Sequence, residues 1–270
     1  MKKILFTDLD GTLLNRDSVV TGRMKTALDD FCAAGNILVL SSGRPLKSIE
    51  QVKKTAGIDD LGRYIIANNG SLIYDCEKDR EICRKGISVE TVREVWDLCY
   101  GEGIHVQTYL KDAIVAKEPN RELEVYTSKI HLDILYCSEP DEVLTEPPCK
   151  MLAVQLTDHE RLAALQRKIQ DRMGDRLQTV FSNPEYLEIF NKDAGKGNAL
   201  RWFCSYLNIP VENSYAAGDA ENDISMIQAA GTSIAMKNGD EKLKQVADIV
   251  TEKTNHECGL ADVIYNEILK

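Results

Sequence analysis

Near its start the chain reads Lys3-Ile4-Leu5-Phe6-Thr7-Asp8-Leu9-Asp10-Gly11-Thr12. A short apolar run ends in two carboxylates one residue apart, and a glycine follows at once. Such a run before glycine reads as a buried strand. Unpaired charge at the end of a buried strand is costly, so the two acids call for a cation. In a strand, side chains two residues apart point the same way, so Asp8 and Asp10 are expected to address one site. Gly11 then lets the backbone turn sharply away. The same letters can open a calcium loop, but the glutamate that closes such a loop is missing, because position 19 is Val19.

The 270 residues are 43% hydrophobic and 28% charged, which supports one large domain or two ordinary ones. A formal net charge of −10 argues against a nucleic-acid or anionic-membrane partner, each of which wants a basic face. No apolar run reaches the roughly 18 residues of a membrane span. The apolar stretch after Lys2-Lys3 stops at Asp8, short of the roughly 7–15 residues of a signal core. A cytoplasmic monomer or weak dimer is expected. The eight cysteines include no Cys-x-x-Cys pair, so reduced, buried thiols are expected rather than a zinc or redox site.

Beyond the acid pair, Thr21 looks like the cap of a helix over 22–34 that ends at Gly35. An apolar strand over 36–42, centred on Ile37-Leu38-Val39-Leu40, ends in Ser41-Ser42-Gly43-Arg44-Pro45, a helix follows to about Ala56, and a strand over 64–67 closes in Asn68-Asn69-Gly70. This alternation predicts a parallel α/β sheet with right-handed crossovers. The pattern then changes: a hairpin over 71–84, a helix from 88, an alternating strand over 104–109 with a partner at 113–116, and a helix over 120–131. After a proline-bearing link over 138–150 come a strand over 150–156, a helix with the stripe Leu162, Leu165, Ile169 and Met173, and strands over 177–182 and 186–190. Residues 84–189 therefore read as an α+β domain inserted into a core of 1–83 and 190–270. From Ala194-Gly195-Lys196-Gly197 the α/β alternation returns. Helices are predicted over 196–207, 223–230, 240–246 and 259–269, and strands over 214–217, 232–236 and 248–250.

In an open parallel sheet, ligands bind outside the carboxyl ends of the strands. Those ends offer Asp8 and Asp10, then Ser42 and Gly43, then Asp219, Asn222 and Asp223, with Lys196 opening a helix close by. Acids without basic partners call for a hard divalent ion such as Mg²⁺. A hydroxyl, a lysine and glycine amides suit a phosphate. A carboxylate attacking a phosphate meets repulsion of about 4 kcal/mol per charge pair at about 4 Å and an effective dielectric of about 20. Mg²⁺ and Lys196 would offset it. Asp8 is then the expected nucleophile, forming an aspartyl phosphate. Asp10 is the expected acid and base for the leaving oxygen and the attacking water. Ser42, Gly43, Lys196 and Asn222 are the expected phosphate binders.

Asp8-Leu9-Asp10-Gly11-Thr12, Ser42-Gly43-Arg44, Lys196-Gly197 and Gly218-Asp219-Ala220-Glu221-Asn222-Asp223 resemble the four motifs of the haloacid-dehalogenase superfamily. The agreement extends to Asn69-Gly70, Tyr186-Leu187-Glu188-Ile189, Ala235-Met236 and Gly259, a pattern similar to the Cof-type phosphatases that covers nearly the whole chain. The resemblance implies a Rossmann-like core with a mobile α+β cap, Asp8 as nucleophile and Asp10 as acid/base. It also implies Mg²⁺ held by Asp8, the backbone carbonyl of Asp10 and Asp219, with Asp223 in support behind them. Asn238-Gly239 departs slightly, since the family often has alanine after the asparagine.

The substrate would be a small phosphorylated metabolite, a sugar phosphate or a phosphorylated cofactor. The core motifs describe only a phosphate and a metal, so the inserted block is expected to read the rest. His105, Gln107 and Tyr109 share the polar face of one strand, opposite Ile104 and Val106, and with Arg44 they are the expected substrate-selecting residues. One rival reading is a phosphosugar mutase on the same scaffold. Another is a receiver-like phospho-binding module, although such modules lack an inserted domain.

Overall fold

Ile4–Thr7 form strand β1, buried at every position, as a strand flanked on both sides and covered on both faces must be. The structure, a computed structural model, describes residues 2–270. Up to Arg84 the chain then forms α1 (Gly22–Ala33), β2 (Ile37–Ser41), α2 (Leu46–Thr55), β3 (Tyr64–Ala67), β4 (Leu72–Asp75) and β5 (Arg80–Arg84). The middle of the chain forms α3 (Val89–Gly101), β6 (His105–Tyr109), β7 (Ala113–Ala116), α4 (Arg121–Thr127), β8 (Asp133–Tyr136), β9 (Lys150–Val154), α5 (His159–Met173), β10 (Leu177–Asn183) and β11 (Tyr186–Asn191). The last part holds α6 (Lys196–Tyr206), β12 (Ser214–Gly218), α7 (Ile224–Ala229), β13 (Thr232–Ala235), α8 (Glu241–Lys244), β14 (Ile249–Val250) and α9 (Gly259–Val263). No helix among the described residues is long and apolar enough to cross a membrane.

The chain divides into two compact units: the chain up to Arg44 with Ile49–Cys83 and Gly195–Lys270, and Pro45–Ser48 with Arg84–Ala194. The first is built on an eight-stranded sheet of order β14-β13-β12-β1-β2-β3-β4-β5. Pairing is parallel from β14 to β3, and β4 turns back antiparallel to β3. The expected α/β sheet is present, with the 71–84 hairpin added to its edge. Helix α1 shows how sequence makes one covering layer. The Thr21 side chain accepts from the Met24 amide, and Met24, Ala27, Leu28 and Phe31 bury one stripe. On α6, Phe203 sits edge-on to Phe6 and Tyr64 at 6.0 and 4.8 Å between ring centres. Burying a ring of this size contributes about 1.5–3 kcal/mol.

The second unit is a six-stranded sheet of order β10-β11-β9-β6-β7-β8. One face packs Val106, Met151 and Ala153 against Trp96 of α3 and Leu162, Leu165 and Ile169 of α5. The other packs Tyr109, Leu152 and Val154 against Leu123 and Tyr126 of α4. Two features differ from the sequence expectation. Helix α4 stops at Thr127 instead of running to 131, and β8 was not anticipated. Every residue of β8 is exposed at the sheet edge, so it carries no alternation of buried and solvent-facing positions to betray it. The final helix also changes character: α9 passes into a π-helical turn over Ile264–Ile268.

Candidate active site

Helix α6 begins at Lys196, and its first side chain points into the carboxyl edge of the sheet. The ammonium donates to Asp8 Oδ1 at 2.7 Å and Asp223 Oδ1 at 2.6 Å, and all three residues are buried. The other oxygen of Asp223 accepts the backbone amides of Asp219 and Ala220 at 3.0 and 3.2 Å, which folds the loop after β12 onto itself. Asp219 accepts the Thr12 hydroxyl on Oδ1 at 2.8 Å. Gly11 has φ +80°, and a Cβ there would stand 2.2 Å from Asp219 Oδ2, so only glycine lets the turn after β1 lie against this carboxylate. The Asn238 amide donates to the Gly11 carbonyl at 2.7 Å and its oxygen accepts the Asn255 amide, clamping the same turn.

The electrostatics are unbalanced. Oxygens of Asp8, Asp219 and Asp223 lie within 4.8 Å of one another, with one ammonium among them. Burial pushes the Asp8 carboxyl well above the usual range; Lys196 pulls against this, and Asp223, Asp219 and Asp10 add to the rise. Burial, with Asp223 next, pushes Asp219 up to about 7. Burial alone would lower Lys196, but Asp223 and Asp8 hold it above the ordinary lysine value. Three carboxylates and one ammonium leave an excess of buried negative charge, which is what a divalent cation relieves. Both Asp223 oxygens are engaged, whereas one oxygen of Asp8 is taken by Lys196 and one of Asp219 by Thr12. The donor set therefore fits a metal held through Asp8 and Asp219, with Asp223 holding Lys196 and the loop.

Asp10 lies beyond the end of the strand, although its charge acts on both Asp8 and Asp219. β1 ends at Thr7, so two-residue alternation no longer applies beyond it, and the chain is already turning at Leu9. The Asp10 side chain is about half exposed and receives both arms of Arg44, Nε to Oδ2 at 2.6 Å and an Nη to Oδ1 at 2.7 Å. Arg44, expected to select substrate, holds Asp10 here. The loop after β2 is closed by the Arg44 amide donating to Ser42 Oγ at 3.1 Å. Asn222 donates from Nδ2 to Asn69 Oδ1 at 3.2 Å, so the loops carrying Ser42, Gly43 and Asn222 converge on the Asn68–Gly70 turn.

His105, Gln107 and Tyr109 lie within the second unit, and their face is not open. All three are buried, and α4 covers part of their face. Gln107 Nε2 donates to the Tyr109 hydroxyl at 2.7 Å, and that hydroxyl donates to Tyr126 of α4 at 2.8 Å. Asn120, which caps α4, lies 2.9 Å from His105 Nδ1, and His105 Nε2 lies 3.2 Å from Gln107 Oε1. On the same face Lys150 and Glu188 form a buried pair at 2.8 Å. Sequence reasoning found the acids and Lys196 but gave no role to Thr12, Asn69 or Asn238. Their contacts join loops far apart in the chain, and no local periodicity announces them.

A family model described as haloacid dehalogenase-like hydrolase matches residues 5–264. The chain belongs to this family. A protein of Streptococcus pyogenes is 29% identical over 99% of this chain and 98% of its own length. The 5-amino-6-(5-phospho-D-ribitylamino)uracil phosphatase YwtE of Bacillus subtilis is 28% identical, with 96% of each chain covered. A solved haloacid dehalogenase-like hydrolase from B. subtilis superposes with a TM-score of 0.87 at 28% identity, covering 98% of this chain and 99% of that one. The likeness spans both compact units, insert included.

Proposed function

We propose that this hydrolase is a Mg²⁺-dependent phosphatase of small phosphorylated metabolites, sugar phosphates or phosphorylated cofactors, working through an aspartyl phosphate on Asp8. The observation that carries the reading is the excess of buried carboxylate around a single ammonium at the carboxyl edge of the sheet. The substrate in the name of the B. subtilis relative, a phosphorylated ribitylaminouracil, supports the substrate class.

Asp8, Asp219 and the Asp10 carbonyl would hold Mg²⁺, which neutralises phosphoryl oxygens when bound. Lys196 orients Asp8 and pulls against the burial that favours its neutral form, and its charge offsets the repulsion between carboxylate and phosphate. A carboxylate oxygen of Asp8 bonds to phosphorus as the bond to the leaving oxygen breaks. The proton for that oxygen comes from Asp10, which then takes one from the water that attacks the acyl phosphate and restores Asp8. Arg44 must let Asp10 go for this to happen, and an incoming phosphate is the natural anion for the guanidinium to take instead. Ser42, Gly43, Lys196 and Asn222 would cradle the phosphoryl oxygens. The block 84–189, inserted between core segments 1–83 and 190–270, is the only large segment left to distinguish leaving groups.

The test is hydrolysis of p-nitrophenyl phosphate and a panel of phosphometabolites. Activity should vanish with chelator, return with Mg²⁺, and be absent in Asp8→Asn. Full activity after chelation, or a trapped phosphoryl group on any residue but Asp8, overturns the reading.

A further inference from the structure

Seven buried side-chain polar atoms lack a hydrogen-bond partner among the described residues, and four of them cluster at the ends of β2 and β3: Ser41 Oγ, Asn68 Oδ1, Asn69 Nδ2 and Ser71 Oγ. Leaving such an atom unpaired costs about 1–3 kcal/mol, so a cluster of them at a ligand-binding sheet edge needs a reason. Asn69 is the most informative. It is 1% exposed and sits in the left-handed region at φ +53°. Its Oδ1 accepts from Asn222 Nδ2, which leaves Nδ2 as a donor with no acceptor.

The turn that carries this donor joins the loops expected to bind phosphate. The Asn69 amide lies alongside Gly43, where a Cβ would come within 3.1–3.4 Å of its atoms. The Asn69 backbone N–H donates to the Ser42 carbonyl at 3.1 Å, and the Asn68 N–H to the Arg44 carbonyl at 3.0 Å. Gly70, at φ +91°, packs so closely on Gly195 that a Cβ would meet its carbonyl at 2.4 Å. One three-residue turn thus touches the loop of Ser42 and Gly43, the loop of Asn222 and the residue before Lys196.

We propose that Asn69 is a phosphoryl-binding residue: its Nδ2 donates to a non-bridging oxygen of the substrate while its Oδ1 holds Asn222 in place. The inference rests on the phosphatase reading and adds to it a donor from a loop outside the four motifs. Its left-handed backbone also explains why the position is asparagine, since asparagine tolerates that conformation and carries an amide.

Two variants that differ in their effect on Asn222 test this, because both glycine and aspartate can adopt a left-handed backbone. Asn69→Gly removes the amide. Asn69→Asp keeps the acceptor for Asn222 but replaces the donor with a negative charge. Wild-type turnover of p-nitrophenyl phosphate is measured first; its absence would defeat the phosphatase reading itself. Given wild-type turnover, kcat/KM should fall about 100-fold in Asn69→Gly and further in Asn69→Asp, in line with loss of one preorganised donor. The inhibition constant for inorganic phosphate should rise at least about tenfold in Asn69→Asp. Wild-type-like kcat/KM and phosphate inhibition in both variants overturn the proposal. Should the variants fail to fold, the side-chain amide resonance of Asn69 in ¹⁵N-asparagine-labelled wild type must shift on titration with inorganic phosphate, and an unmoved resonance at saturation overturns it equally.

Discussion

Lys196 is the residue on which the site balances. A fully buried ammonium survives only because Asp8 and Asp223 face it within hydrogen-bond distance. Removing it leaves carboxylates already pushed upward by burial and crowding without a cation. Lys196→Met is therefore expected to destabilise the fold by about 3–5 kcal/mol in metal-free buffer, read as a lower urea midpoint. Its phosphatase activity should fall by about 10³ or more. A stable, active variant would show that the ammonium is dispensable. Lys196, Asp8, Asp219 and Asp223 were legible in the sequence because each stands in a short string at a predicted strand end or helix start. The pairing of Asp10 with Arg44 was not. Alternation holds only while the backbone is extended, and β1 stops one residue before Asp8. Nothing local to Asp10 reveals that Arg44, on another loop, will hold it.

Helix α4 shows what element-scale reading supplies and what it lacks. The sequence places its start at Asn120, and the structure makes Asn120 its cap, with Oδ1 accepting from the Leu123 amide at 2.8 Å. Its docking was not legible in the sequence, because periodicity marks which strand face is polar without saying what covers it. The covering fixes a protonation state. With Asn120 Oδ1 engaged, the amide facing His105 Nδ1 is its NH₂ group, so Nδ1 accepts and the proton sits on Nε2, donated to Gln107. Burial lowers the His105 pKa below the ordinary value, outweighing the Gln107 hydrogen bond and the charge of Glu122, which both favour the cation. With the folded value below the unfolded one, the unfolded chain binds the extra proton first, so stability falls as pH drops through about 6.5 and below. In a Trp202→Phe background, the urea midpoint followed by Trp96 fluorescence should therefore fall from about pH 7.5 to about pH 5.5, and fall less when His105→Gln, which cannot take up that proton, is added. Equal losses in both proteins would show that His105 does not couple to folding.

For the whole molecule, the break in α/β alternation after residue 70 and its return at Ala194 were visible because parallel and antiparallel architectures impose different periods on the chain. Strand β8, exposed on both faces, imposes none and was missed. The two units have separate apolar cores, and each holds one of the two tryptophans: Trp96 within the core of the second and Trp202 packed against that of the first. Trp96→Phe leaves a reporter for the first unit and Trp202→Phe one for the second. A cation that binds the folded first unit stabilises it by mass action, about 2.7 kcal/mol at a concentration one hundred times its dissociation constant. Added Mg²⁺ should therefore raise the thermal transition seen by Trp202 and leave that seen by Trp96 in place. In Asp219→Asn the Trp202 shift should shrink or vanish, because one of the two carboxylates able to turn an oxygen to the ion is gone. A Trp202 transition that rises as much in Asp219→Asn as in the parent would put the ion elsewhere, and joint movement of both transitions would show that the units unfold as one despite their separate cores.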